Sequence, residues 1–144
     1  MPLGSWSLES AGRRGGFLVA EGDFPVLAPV TGAGGRTLRS RATYTVVRGL
    51  AAPRCVSLRA ADGRYLRHSG MRLRLSAAEA TALFGEDATF CPEPGRRKGT
   101  VALRSHNYPE HALRAHPDGI RLDFLGAARA DPSGSFLVRA PWAR

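Results

Sequence analysis

No stretch of the chain approaches the roughly 20 apolar residues that a membrane-spanning helix requires, so no membrane partner is expected. Cysteine is scarce: Cys55 and Cys91 are the only two. Two thiols cannot build a zinc site alone, and no histidine stands at finger or knuckle spacing, so neither a metal nor a cofactor is expected. Lysine is nearly missing, with Lys98 the single one among 21 basic residues. The formal net charge of +9 is therefore arginine, spread from Arg13 to Arg144. Its densest run, Arg96-Arg97-Lys98, has no interleaved aromatics on which bases would stack. A solvated basic surface is expected, and no nucleic-acid partner. Met1 to Ser10 lacks both a basic start and a long apolar core, so no secretion signal is expected there. Either the chain stays inside the cell or a leader has been removed. Catalytic signatures are missing too. A glycosidase needs two carboxylates across one bond, but Glu86 and Asp87 are adjacent, and neighbours on a strand point to opposite faces. With no nucleophile elbow or phosphate loop either, no residue is assigned a catalytic role.

What is present is repetition. The 144 residues fit one domain, and Gly 17 and Pro 10 fall between short apolar runs, a pattern of many short strands joined by turns. One strand type reads Ser7-Leu8-Glu9, Ser57-Leu58-Arg59 and Ala102-Leu103-Arg104. A second reads Phe17-Leu18-Val19-Ala20, Tyr65-Leu66-Arg67-His68 and Ala112-Leu113-Arg114-Ala115. A third reads Pro25-Val26-Leu27, Arg72-Leu73-Arg74-Leu75 and Ile120-Arg121-Leu122, and a fourth Ala42-Thr43-Tyr44, Ala88-Thr89-Phe90 and Gly134-Ser135-Phe136. Tyr44, Phe90 and Phe136 are spaced by 46 residues each, and Leu18, Leu66 and Leu113 by 48 and 47. Period-two alternation, clearest in Met71-Arg72-Leu73-Arg74-Leu75, sets one face on a core. Three units, about 5–50, 51–98 and 99–144, of four strands each predict an all-β β-trefoil: six barrel strands, six in capping hairpins, almost no helix. A helical turn is allowed within Ser76 to Gly85. A monomer is expected.

The two thiols either stay buried and free or pair. The repeat brings their strands near each other, which favours the bridge, and closing 36 residues would then stabilise the fold by about 4 kcal/mol.

The second unit resembles a known family. Cys55-Val56-Ser57-Leu58, Tyr65-Leu66-Arg67-His68 and the run from Leu83 to Pro92 are similar to the arabinofuranose-binding module of α-L-arabinofuranosidases, as is Leu103-Arg104-Ser105-His106-Asn107-Tyr108-Pro109. The resemblance implies a β-trefoil with one small sugar pocket per competent unit, and it pairs Cys55 with Cys91. It implies that His68 and Asp87 hold an arabinofuranose side chain of a polysaccharide such as arabinoxylan or arabinan. It also implies a secreted protein and a separate or fused catalytic domain. The chemistry suits that role: a carboxylate accepts from two neighbouring hydroxyls through strong charge-assisted bonds, and imidazole offers one donor and one acceptor. Tyr65 either gives the sugar ring a platform or turns into the core. In the first unit Ala20 and Arg41 replace His and Asp, so no pocket is expected. In the third, Ala115 replaces His, and Asp131 lies five residues before Phe136 rather than three. Either a two-residue bulge returns Asp131 or Ser133 replaces it. A weaker third-unit site would draw on Asn107, Tyr108, His111, His116 and Asp131. The rival reading is a protein-interaction domain that has lost most sugar binding.

Overall fold

The computed structural model describes all residues, Met1–Arg144. Four strands and one short helix recur three times. The first unit holds β1 (Gly4–Ser10), β2 (Gly16–Glu21), β3 (Phe24–Pro29), α1 (Arg36–Arg41) and β4 (Tyr44–Arg48). The second holds β5 (Val56–Ala60), β6 (Tyr65–Ser69), β7 (Arg72–Ser76), α2 (Ala82–Asp87) and β8 (Phe90–Pro94). The third holds β9 (Val101–Ser105), β10 (His111–His116), β11 (Gly119–Phe124), α3 (Leu125–Ala130), a 3-10 turn at Pro132–Gly134 and β12 (Phe136–Arg139).

The expected β-trefoil is corrected by how these strands pair. All twelve join one antiparallel sheet. β7 and β11 pair at Arg72 and Arg121, so the second and third hairpins are tied together rather than standing as separate caps. A closed circuit of nine strands results, β1-β4-β5-β6-β7-β11-β10-β9-β12. Three strands lie outside that circuit: β8, which pairs with β5 and β9, and the β2–β3 hairpin, which hangs from β1. Sequence spacing locates strands along the chain but says nothing about which edges meet, and the Arg72–Arg121 junction left no mark in the repeat.

The repeat does govern the core. Leu8, Leu58 and Leu103, Leu18, Leu66 and Leu113, and Tyr44, Phe90 and Phe136 are all essentially inaccessible and belong to one cluster. β2 is buried on both faces, as its unbroken Phe17-Leu18-Val19-Ala20 run allows. Leu18 and Ala20 enter the main core, whereas Phe17 and Val19 pack in a second cluster closed by Trp142. Ends of the chain meet where β1 pairs with β12, and the Glu9 carboxylate there accepts from Gly15 N–H and Arg139 Nε, both at 2.8 Å.

The expectation of almost no helix is corrected as well. Ala42-Thr43, Ala88-Thr89 and Gly134-Ser135 are not strand: the strands start at Tyr44, Phe90 and Phe136, just after a helical turn. α2 starts where the Thr81 hydroxyl caps Phe84 N–H at 3.2 Å, a local signal that the strand pattern masks. These helices carry Arg41 and Asp87 on their last residue, and Asp131 just beyond. The β6–β7 hairpin turns at Gly70 and Met71, both at positive φ (58° and 65°), as a two-residue turn matched to strand twist demands. Met71 is the one non-glycine residue in that region of backbone space. Cys55 and Cys91 are disulfide-bonded, bracing the edge where Val56 pairs with Phe90.

Candidate functional site

Four side chains of the second and third units lock together at the seam between them. His68, on β6, is 3% exposed, and Asp87, ending α2, is 6% exposed. Burial of two such groups demands partners. Asn107, in the turn after β9, supplies them. Its Oδ1 accepts from His68 Nε2 at 2.8 Å and from the Ser105 hydroxyl at 3.2 Å. Its Nδ2 donates to Asp87 Oδ1 at 2.8 Å. Arg67, beside His68 in sequence, reaches the other oxygen, Asp87 Oδ2, at 2.5 Å through Nη2, and Glu79 at 3.3 Å through Nη1.

This network fixes polarity as well as position. An amide that gives its oxygen to His68 and its nitrogen to Asp87 can face only one way. His68 must then carry a hydrogen on Nε2, which also lies 3.4 Å from Asp87 Oδ1. Each Asp87 oxygen retains a lone pair beyond its present bond. Above them lies a cavity of about 240 Å³, bounded by the Gly70-Met71 turn, Leu83 and Tyr108. The Tyr108 ring sits 5.0 Å from that of His68, tilted by 47° and half exposed. Buried acceptors beneath a partly apolar rim suit a small, neutral, hydroxyl-rich ligand.

The structure regroups the sequence candidates. His68 and Asp87 come together. Of Asn107 and Tyr108, assigned above to the third unit, Tyr108 lines the second-unit cavity and Asn107 bonds the His68 and Asp87 side chains of its wall. A repeat compares positions within units, and this site spans two of them, so the alignment could not show the partnership. Tyr65 is not among the lining side chains; its ring packs edge-on against Phe84, at 6.1 Å. His111 leaves the third unit's site as well, edge-on to Tyr108 and tilted over Phe124 with ring centroids 6.2 and 4.5 Å away. Arg67 went unnoticed, although its recurrence as Arg114 was visible in the repeat.

In the third unit a cavity of about 290 Å³ is lined by His116, Asp131 and Ser133, with Ser10, Gly12 and Arg13 across the seam. The extra residues before Phe136 are absorbed by the 3-10 turn, which Asp131 caps by accepting from Ser133 N–H at 2.8 Å. Asp131 and Ser133 both then meet Arg114, at 3.2 and 2.9 Å. The N–H and hydroxyl of Ser133, followed by Arg114, hold the Asp131 carboxyl below its ordinary value. His116 is engaged elsewhere, with Nε2 2.6 Å from Asp123. Against expectation the first unit has a cavity also, about 490 Å³, beside Ala20 and Arg41.

Comparison with known proteins places the chain in a family. A family model described as the alpha-L-arabinofuranosidase B (ABFB) domain matches residues 6–138. Alpha-L-arabinofuranosidase B of Emericella nidulans is 45% identical over 121 residues, 78% of this chain and 24% of that protein. A probable alpha-L-arabinofuranosidase B of Aspergillus clavatus is 34% identical over 116 residues, 78% of this chain and 23% of its own length. Among solved structures, an arabinofuranosidase complexed with arabinofuranosyl-alpha-1,2-xylobiose superposes with a TM-score of 0.90 at 26% identity, covering 100% of this chain and 32% of that one. The chain thus spans about a quarter of the curated relatives it matches.

Proposed function

The chain belongs to the alpha-L-arabinofuranosidase B domain family, and from that premise we propose that it is a carbohydrate-binding module without catalytic chemistry of its own. Its ligand is an α-L-arabinofuranose side chain of a hemicellulose such as arabinoxylan or arabinan, seated chiefly in the second-unit cavity. The observation that carries this reading is the His68–Asn107–Asp87–Arg67 network, buried at His68 and Asp87, opening beneath Tyr108. In it, Asp87 accepts from neighbouring hydroxyls of the sugar, His68 Nδ1 bonds another, and Tyr108, Leu83 and Met71 meet the ring's apolar edge. The solved arabinofuranosidase complex holds an arabinofuranosyl group on xylobiose, the kind of branched sugar proposed here.

Asp87 is the one carboxyl group lining that cavity, whereas hydrolysis of a glycosidic bond uses two flanking it. A module of this length serves a catalytic domain in the same or an associated protein, and the relatives' full lengths leave room for one. A secreted setting fits both that role and the Cys55–Cys91 bridge; no helix is long and apolar enough to cross a membrane.

Titration of the chain with methyl α-L-arabinofuranoside, followed by amide NMR, tests the proposal. One small pocket should give a dissociation constant on the order of millimolar. Shifts should centre on the Gly70-Met71 turn and Tyr108. The pure chain should leave an aryl arabinofuranoside uncleaved; turnover would overturn the non-catalytic reading.

A further inference from the structure

We infer that the cleft of the first unit binds a carboxylated sugar, a uronic acid residue of a polysaccharide. The repeat makes this cleft the counterpart of the second-unit cavity, with its charge reversed. Arg41 stands three residues before Tyr44 as Asp87 stands three before Phe90, and both end their helices. Ala20 takes the place of His68, facing Pro25 across its hairpin as His68 faces Leu73. Where the second unit presents an acceptor, the first presents a cation. A neutral sugar's hydroxyls would lose their carboxylate partner here, and a carboxylate ligand would gain a guanidinium.

The donors on the wall are uncommitted. Neither Arg36 nor Arg41 forms an ion pair within the chain. The hydroxyls of Thr37 and Ser40, from the same helix, line the cleft with them. Asp62, the one acid on the wall, does not cancel this charge, because Arg64 already holds it. Arg64 gives Asp62 its backbone N–H at 3.0 Å and its Nε at 2.8 Å. Those bonds, the N–H first, keep the Asp62 carboxyl below its ordinary value. Arg64 spends its remaining nitrogens on Asp23 and the Gly22 carbonyl, at 3.1 and 2.7 Å. Two guanidinium groups are left over, and a planar fork suits a carboxylate better than any other donor.

Size and lining point to a sugar. The small residues Ala20, Gly22, Ala60 and Ala61 line the cleft, and no aromatic side chain does, so nothing there would stack a nucleobase. Arg36 also borders a neighbouring hollow with Arg39 and Arg144, which extends the positive face beyond one residue. An oligomer with acid groups on successive sugars meets more of that face than a monomer.

The full chain should be titrated with a galacturonic acid oligomer and with its methyl ester, monitoring backbone amides and heats of binding at fixed ionic strength. The acid oligomer should shift the amides of residues 36–41 and 62–64, while the ester should not. Arg41→Ala and Arg36→Ala, both exposed and so tolerated by the fold, should each weaken the acid oligomer about tenfold. Arg41→Ala should leave methyl α-L-arabinofuranoside binding intact, and Asp87→Ala should leave the acid oligomer bound. Failure of the arabinofuranoside alone would therefore count against the second-unit site and not against this one. Equal binding of acid and ester, unchanged affinity in Arg41→Ala, or displacement by sulfate at equal ionic strength would overturn the inference.

Discussion

The second and third units start from one plan and finish it differently. Each sets an arginine from the second strand type against an aspartate near the end of its helix, Arg67 with Asp87 and Arg114 with Asp131. In the second unit the histidine that follows the arginine turns to Asn107, whose amide passes the bond on to Asp87, and the imidazole and carboxylate are both buried. In the third, Ala115 follows the arginine, and the next residue, His116, pairs with Asp123. Gly12 lies across the seam where the second unit has Asn107. Its aspartate is consequently spent on Ser133 and the 3-10 turn. The arginine–carboxylate pair is thus common to both units. What distinguishes the second unit is a cross-seam amide that holds an imidazole and a carboxylate in one fixed orientation.

The largest way to break this contrast is through the disulfide, which braces the second unit and has no counterpart in the third. Replacing Cys55 and Cys91 by serine should cost about 4 kcal/mol in denaturant unfolding, the loop-closure value for a 36-residue span. An unchanged midpoint would show that the second unit is held without it. Next comes Asn107→Ala. It strips a bond from both His68 and Asp87 while leaving them buried, so stability should fall by about 1 to 3 kcal/mol and sugar retention should vanish. Ser133→Ala in the third unit should cost less and leave retention unchanged in arabinoxylan affinity gels.

The turn under the second cavity offers a smaller effect of opposite sign. Met71 pays for its positive φ, and Met71→Asn, a residue that tolerates this conformation, should raise stability by about 1 kcal/mol. A thermal melt that falls instead would mean the Met71 side chain contributes more at the rim than its backbone costs. Smallest is the pH response of Asp131. Its folded value is lowered, so its contribution is present above the ordinary carboxylate range and lost as pH falls through the lower folded value. Carboxyl NMR should find Asp131 titrating below an ordinary aspartate, and Ser133→Ala should bring it back towards that range.

Much of this was legible from the chain itself, and what was not has a common cause. Leucines and aromatics spaced by 46 to 48 residues announced the buried positions, because period-two alternation reports directly on which face meets the core. The second unit's resemblance singled out His68 and Asp87, which the structure brings together, and the repeat and the resemblance both favoured the cysteine bridge that forms. Pairings across units did not: the β7–β11 junction, which replaces separate hairpins by a closed nine-strand circuit, depends on edges meeting in space. Asn107 was missed for the second site for the same reason, as it belongs to one repeat in sequence and to another in space. The helical turn allowed within Ser76 to Gly85 is met by α2, which runs on to Asp87; α1 and α3 escaped because six residues scarcely establish a helical period, and Thr81 was the single capping signal among the three.

The claim that the second-unit network is the sugar site is tested most directly by one titration series. Methyl α-L-arabinofuranoside is added to labelled chain, to Asp87→Ala and to Asp131→Ala, with folding verified from each amide spectrum. The account predicts saturable shifts around Gly70, Met71 and Tyr108 in the parent chain and in Asp131→Ala, weakened beyond measurement in folded Asp87→Ala. Equal binding by Asp87→Ala, or loss of binding in Asp131→Ala instead, would contradict it.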